Sequence, residues 1–491
     1  MKKTTIAAAS ALLCLMPLTS FASPQASSDD KITALEAQNR ELIKRIELLE
    51  KLVKANTEST PVAVAPVANP TPSQSVQASP NASGVVVTNH EFSYTILDPN
   101  TNIDRKELLI LNSKKSGQLQ AESVYVGGAV TAIIDAQQSN TESKFGYLMR
   151  HPTSSNQRTK NVSEALIHSA QLSFTANLNN WITGYIEMLY SPELSFGAGT
   201  ITDLGRNQVQ VRHGYVVLGD LNKSPFYGSI GKMAVPFGMT DTVSPFTQST
   251  VYHAFGGLAY GVKAGYSENN LNVTLMGVQG GAEFRSANVP VDHTNIPSKL
   301  NNFAADVHYK FNLSSDTNVL IGASYIKGSA YCAGFPVTHF SSCKKENGAT
   351  AAYATAQIGK SFFKAEIAQT QDVWPGSFNP TIPAFKASKV DSFDLGWRYE
   401  SEYAGKRLDY SVEFSQFGAG PKGSPWERQS QSVFGLAYYP LKNAKFFAEY
   451  IRTKGYAPLN FVSGGNLGDG VSWSVNNASS NIFLLGTNVA F

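Results

Sequence analysis

From residue 121 to its last residue the chain is written in segments of about ten residues, in which apolar positions alternate with small, polar or charged ones. In 303–311 the odd positions are Phe303, Ala305, Val307, Tyr309 and Phe311, and the even ones are Ala304, Asp306, His308 and Lys310. A period of two marks a strand with two unlike faces. Alternation alone fits a soluble sheet with its apolar face inward as well as a barrel with that face toward lipid. The connections decide. Sixteen such segments are joined alternately by short turns ("NLNN", "LNKS", "ENN", "LSSDT", "GKS", "EYAGK", "LKNA") and by longer stretches. The long ones lie near 138–162, 191–208, 235–256, 284–300, 331–348, 375–387, 419–429 and 456–479. Segregated loop lengths and an even strand number are the pattern of a bacterial outer-membrane barrel. Residues 121–491 are therefore predicted to be all-β, a 16-stranded antiparallel transmembrane β-barrel with its short turns at the periplasm. The last segment, "SSNIFLLGTNVAF", carries Phe483, Leu485, Val489 and Phe491 on its apolar face. Phe491 is expected to be the assembly signal read by the barrel-insertion machinery. This strand is expected to pair with 124–137, because an unpaired edge is untenable in lipid.

Upstream the pattern changes three times. In 29–55, Ile32, Leu35, Asn39, Leu42, Ile46, Leu49 and Val53 recur at steps of three and four, an a/d heptad seam. Lys31 with Glu36 and Arg45 with Glu50 fall at g and e positions, which favours a parallel coiled coil and hence a homo-oligomer. Ile at a with Leu at d favours two strands in isolated peptides, but barrels of this kind are commonly trimeric, and a trimer is expected over a dimer. Residues 56–84, rich in Pro, Ala, Ser and Val, read as a semi-stiff tether. Residues 85–120 read as a periplasmic or partial-plug segment, too short for a full plug domain. At the N-terminus, Lys2 and Lys3, an apolar stretch from Ile6 to Leu18 and the Ser20-Phe21-Ala22 triplet predict a signal peptide over 1–22.

A formal net charge of +3 gives no footprint for nucleic acid. Beyond Cys14 of the signal, Cys332 and Cys343 read as one disulfide, with metal binding through His339 as the alternative. Parity directs Asp135, Glu187, Arg212, Lys263, Asp306, His308 and Lys310 into the barrel, together with Lys364, Glu366, Asp394, Arg398, Asp409, Glu413 and Glu449. Their mixed signs predict a solvated pore wall; salt bridges between neighbouring strands are the plainer account of each. The stretch 235–256 sets Phe237, Phe246 and Tyr252 beside Asp241 and His253, a composition suited to a loop folded inward to constrict the channel. His168, His213 and His308 belong to no nucleophile motif, so no enzyme is expected, and no cofactor or metal.

"GKMAVPFG" (Gly231 to Gly238), after "VRHGYVVLGDL", resembles the phosphate-selective porin O and P superfamily. "SYTILDPNTNIDRKELLILNSKKSG" leading into "VYVGGAVTAIIDAQ", behind signal, coiled coil and tether, resembles the LbtU-type siderophore porin family over essentially the whole chain. That resemblance implies an outer-membrane protein of a Gram-negative bacterium that takes up a ferric siderophore such as legiobactin. The coiled coil and C-terminus would face the periplasm, and membrane lipid would surround the barrel. No ligand-binding residue matches a family motif. A general or anion-preferring porin, and an envelope structural protein anchored by the barrel, are the competing readings.

Overall fold

A computed structural model describes Lys44 and residues 85–140, 160–191, 209–279, 281–282, 288–289, 300–332, 345–374, 388–424, 427–455 and 477–491. The signal peptide, the heptad positions, the tether and Cys343 lie outside the described residues.

Sixteen long strands follow one another: β1 Ser123–Ser139, β2 Asn161–Asn177, β3 Ile182–Tyr190, β4 Val209–Leu218, β5 Phe226–Ala234, β6 Leu258–Glu268, β7 Leu271–Gln279 and β8 Leu300–Asn312. The second half comprises β9 Thr317–Ile326, β10 Ala349–Ile358, β11 Ser361–Thr370, β12 Asp391–Tyr403, β13 Lys406–Gly418, β14 Arg428–Leu441, β15 Ala444–Gly455 and β16 Ser479–Ala490. Each pairs antiparallel with the next, and β16 pairs with β1 from Ser480↔Ser139 to Ala490↔Ala129, so the sheet closes on itself. Closure removes every edge, the condition for a sheet to stand in hydrocarbon. One of the two-residue turns, Asn269-Asn270 between β6 and β7, has both residues at positive φ, 51° and 68°. Asparagine tolerates that conformation, which matches the twist of the flanking strands.

Alternation sends Ile134, Ile186, Leu275, Ile367, Phe434 and Phe483 outward, where they are exposed, and the charged positions inward. Gly128 and Phe491 exchange backbone hydrogen bonds of 2.8 Å each way, one step beyond the last β16 pair. Below that point β1 continues to Ser123 without β16, and a short strand, Val85–Val87, lies parallel against Ser123–Tyr125 in the vacated place.

The chain then turns into the ring. Helix α1, His90–Leu97, is capped by Asn89, whose Oδ1 accepts from Phe92 N at 3.0 Å. Helix α2, Lys106–Lys115, follows, with Lys114 and Lys115 in its last turn, where cations suit the helix dipole. Phe92, Ile96, Leu97, Leu108, Ile110 and Leu111 form a buried cluster with the inward Tyr125, Tyr185, Tyr215, Tyr227 and Met233. Full burial of each such aliphatic side chain contributes about 1.5–3 kcal/mol. Lys442, in the turn after β14, pairs with Glu91, and Lys114 donates to Thr183 at the start of β3, so both helices sit toward the short-turn end. From the opposite side the connection after β5 folds inward, carrying the six-residue helix α3, Thr250–Phe255.

Candidate functional site: the occupied lumen

The stretch from Asp98 to Arg105, between α1 and α2, meets the inward loop in mid-barrel. Thr242 N donates to Asn100 O at 3.0 Å, Asn100 Nδ2 to Ser244 O at 3.0 Å, and Gln248 Nε2 to Pro99 O at 2.6 Å. Arg105 Nη2 donates to Asp241 Oδ2 at 2.7 Å. Two further ion pairs fasten α2 to the wall: Lys106 Nζ to Glu187 Oε2 at 2.5 Å and Lys263 Nζ to Glu107 Oε1 at 2.8 Å.

A loop that leaves its sheet must find acceptors for its backbone N–H groups. Wall carboxylates supply them. Glu366 accepts from Met239 N at 2.7 Å. Glu413 accepts from Ser244 N at 2.9 Å, from Ser244 Oγ at 2.6 Å and from the Thr242 hydroxyl. Glu449 accepts from Phe246 N at 2.7 Å, Thr247 N at 3.0 Å and Thr247 Oγ1 at 2.5 Å. Lys445 Nζ donates to Pro245 O at 2.7 Å, and Lys364 Nζ donates to Asp241 O while pairing with Asp394 at 2.8 Å. Gly238, at φ +72°, passes so close to Glu366 that a Cβ there would stand 2.3 Å from Oε1. Only glycine fits that approach.

Apart from Lys310, the residues assigned inward by parity are buried or half-buried, and the loop residues all lie on the inward fold. The expectation of a solvated wall is corrected. Asp135, Glu187, Lys263, Asp306, His308, Lys364, Glu366, Asp394, Asp409, Glu413 and Glu449 are buried. The N-terminal segment or the inward loop contacts most of them directly. Asp306 is held by His308 Nδ1 at 2.9 Å and by the hydroxyls of Ser324 and Tyr353, each donating at 2.7 Å. Arg212, 3.9 Å from Glu187 and 3.4 Å from Tyr252 Oη, and Arg398, 3.9 Å from Asp409, stay part-exposed, and Lys310 is exposed near the short turns. Phe237 packs on Phe255 and Phe246 stacks on Phe447 at 5.4 Å, while Tyr252 and His253 are buried in α3. Tyr331 Oη, from the connection after β9, donates to Ala254 O at 2.6 Å, and Trp374 packs against Tyr331 at 5.4 Å, bracing α3 from above. Cys332 ends the turn Ala330–Cys332.

The sequence reading missed Arg105, Lys106, Glu107 and Lys445 and the inward tyrosines. A signal for the segment existed: Asn89 ahead of Phe92 and Ile96, then Leu108 and Leu111 at helical spacing. Burial pushes the Asp104 carboxyl up to about 6, against the opposing pull of Arg105, and burial lowers Lys106 from its ordinary range. Two small spaces flank the crossing stretch. One of ≈ 10 Å³ lies among Asp104, Arg105, Lys263 and Asp306; the other, of ≈ 30 Å³, lies among Asn100, Thr242, Arg398 and Lys445. Each suits about one or two waters. Among the described residues no group of three or more His, Cys, Asp or Glu is arranged to hold a metal.

No family model matches the chain. It is 31% identical over 170 residues to the UPF0422 protein of Coxiella burnetii, across 33% of this chain and 32% of that relative; the chain spans about a third of that relative's length in the match. Among solved structures, the outer membrane channel DcaP of Acinetobacter baumannii is similar at 12% identity and a TM-score of 0.47, over 75% of this chain and 97% of that one. An anion-selective porin from Comamonas acidovorans gives 11% and 0.45, over 75% and 99%. Pseudomonas putida OprB gives 8% and 0.46, over 74% and 94%.

Proposed function

We propose that the chain is an outer-membrane channel of porin type whose passage is gated by its own N-terminal segment. The observation that carries the reading is a closed sixteen-stranded ring, apolar outside, whose interior holds α1, α2 and the inward loop. Lipid accounts for the outward face, which no soluble barrel of this size would leave bare. A solute reaching the level of Arg105 and Asp241 meets protein, so it passes when the segment, the loop or both give way. The segment is the weaker barrier. It is joined to the wall by four single ion pairs, at Glu91, Asp98, Lys106 and Glu107, by an apolar patch and by a three-residue strand, whereas the loop is continuous with β5 and β6 at its two ends and its backbone is held by Glu366, Glu413 and Glu449.

The test is single-channel recording on the full chain and on a chain lacking 88–119. Low or rare conductance for the first and a large steady conductance for the second are expected. Equal conductance overturns the gate.

Uptake of a ferric siderophore is the finer reading. It draws on the resemblance to siderophore porins, and a gated barrel suits a bulky, scarce ligand better than an open sieve does. Radiolabelled ferric-siderophore uptake by a deletion strain, with and without the gene, tests it. A parallel coiled coil, periplasmic like the short turns, would join copies into a trimer; cross-linking in native membranes tests that, and a monomer sinks it.

A further inference from the structure

Register sets the outward residues of β12 to β16 and β1 in rows. One row runs Trp397, Val412, Phe434, Tyr450, Phe483 and Ala136, strand by strand. The row toward the short turns runs Tyr410, Leu436, Ala448, Leu485 and Ile134. Aromatic rings standing around the small Ala448 and Ala136 leave a groove of ≈ 770 Å³ on the outside of the barrel. That is the volume of a ligand pocket, for which roughly 300–1,000 Å³ is usual.

The rows toward the long loops change character at once. Next comes Ser432, Arg452, Asn481 and Gln138, and beyond it Ser430, Lys454 and Ser479. Each row is about 7 Å from the last along the strands. Arg452 and Lys454 are exposed, and neither makes an ion pair with a described residue. Tyr450 Oη donates to Asn481 Oδ1 at 2.9 Å, which turns the Asn481 amide N–H groups away from the ring. Two cations and an array of hydroxyl and amide donors thus stand directly above an apolar groove.

We propose that this face binds a phosphate-bearing lipid with several acyl chains, its phosphate on Arg452 and Lys454 and its chains in the groove. The proposal rests on the outer-membrane reading. Charge complementarity selects the occupant. A two-fold contact between copies through this face would set Arg452 and Lys454 against themselves. Near the long-loop rim, Glu346, Asp372 and Glu427 are already paired with Lys327, Lys345 and Arg428. Asp391 stands there as well, on the strand next to β13, and Glu164 of β2 lies opposite the inward Asp135. Phosphate oxygens match arginine's paired donors and lysine's point charge, and acyl chains match the apolar rows.

The experiment uses the full folded chain in detergent and native mass spectrometry with diphosphorylated lipid A, its dephosphorylated form and a neutral diacyl lipid as probes. One saturable diphosphorylated lipid per chain is expected. Binding should fall about tenfold without the phosphates, and likewise in the double variant Arg452→Gln, Lys454→Gln. Ala448→Phe, which fills the groove from outside, should also weaken binding while the heat-modifiable barrel band persists. Equal binding of all three lipids, or unchanged binding in both variants, overturns the site. Copies cross-linked through the variant Ala448→Cys, with lipid A failing to compete, would assign the face to a second chain and equally overturn it. Fractionation separates the two failures: a wild-type chain absent from the outer membrane sinks the location, whereas a correctly located chain with indifferent lipid binding sinks only the site.

Discussion

The ring of Phe491 lies over Gly128, so close that a Cβ on that glycine would stand 2.5 Å from Phe491 Cζ. The same two residues exchange backbone bonds of 2.8 Å in both directions. Deleting Phe491 removes both bonds, at about 0.5–1.5 kcal/mol each, and uncovers the seam between β16 and β1. The expected outcome is less heat-modifiable barrel in the outer-membrane fraction. Phe491→Ala keeps the backbone pair and should do markedly less harm; equal loss in the two would show that the ring, not the pairing, matters.

Lys106 is the buried cation of the segment. Its partner Glu187 also accepts from Tyr185 Oη at 2.9 Å and Gln171 Nε2 at 3.2 Å. Lys106→Met leaves that buried carboxylate with Arg212 at 3.9 Å and His213 Nδ1 at 3.1 Å in place of its closest cation, a loss against the seated segment smaller than the about 3–5 kcal/mol of a pair broken outright. Open-channel events should become frequent, and adding Glu187→Gln should make them rarer again. Recordings in which the single variant stays closed would place the barrier in the loop alone.

Arg105 and Asp241 join segment to loop, with about a fifth of each side chain exposed. Solvent screening keeps the pair modest, about 1 kcal/mol. Arg105→Gln and Asp241→Asn should each raise open probability a few-fold, and together no more than one alone. Additive effects in the double-mutant cycle would mean that the two side chains act apart.

Asp104 gives the seating a pH dependence. Burial holds its carboxyl near 6 in the seated segment, where Arg105, Asp241 and Asp306 face it, against 3.8 when released. Between those values the seated state keeps a proton the released state has lost, so seating weakens as pH rises through that window and strengthens below it. Proteolysis of the segment in intact barrels should be faster at pH 7.5 than at pH 5. Asp104→Asn should remove the difference; a slope that survives it belongs to another group.

Strand count, connection lengths and inward positions were legible because a period of two and segregated turns are local properties of the chain. Glu366, Glu413 and Glu449 could be placed on the inner face by parity alone. Their partners could not, since Met239, Ser244 and Thr247 are distant in sequence and use backbone donors that carry no residue signature. Lys106 and Glu107 look like an ordinary charged helix start; what makes them wall partners is that α2 lies inside the ring. The reading of a wet lumen failed for the same reason, because mixed charges on a strand face look alike whether water or another part of the chain answers them.

The short strand Val85–Val87 occupies the stretch of β1 that β16 stops short of, and α1 begins three residues later inside the ring. The seam is thus both the last joint of the sheet and the doorway of the segment. Chronology follows: the helices precede β1 in the chain and enter at the short-turn mouth beside the seam, opposite the end from which the loop folds in, so they can take their place as β16 zips against β1 or after it has done so. A barrel refolded from two fragments split in the turn after β8 would time this directly, by whether segment protection rises together with seam closure or follows it.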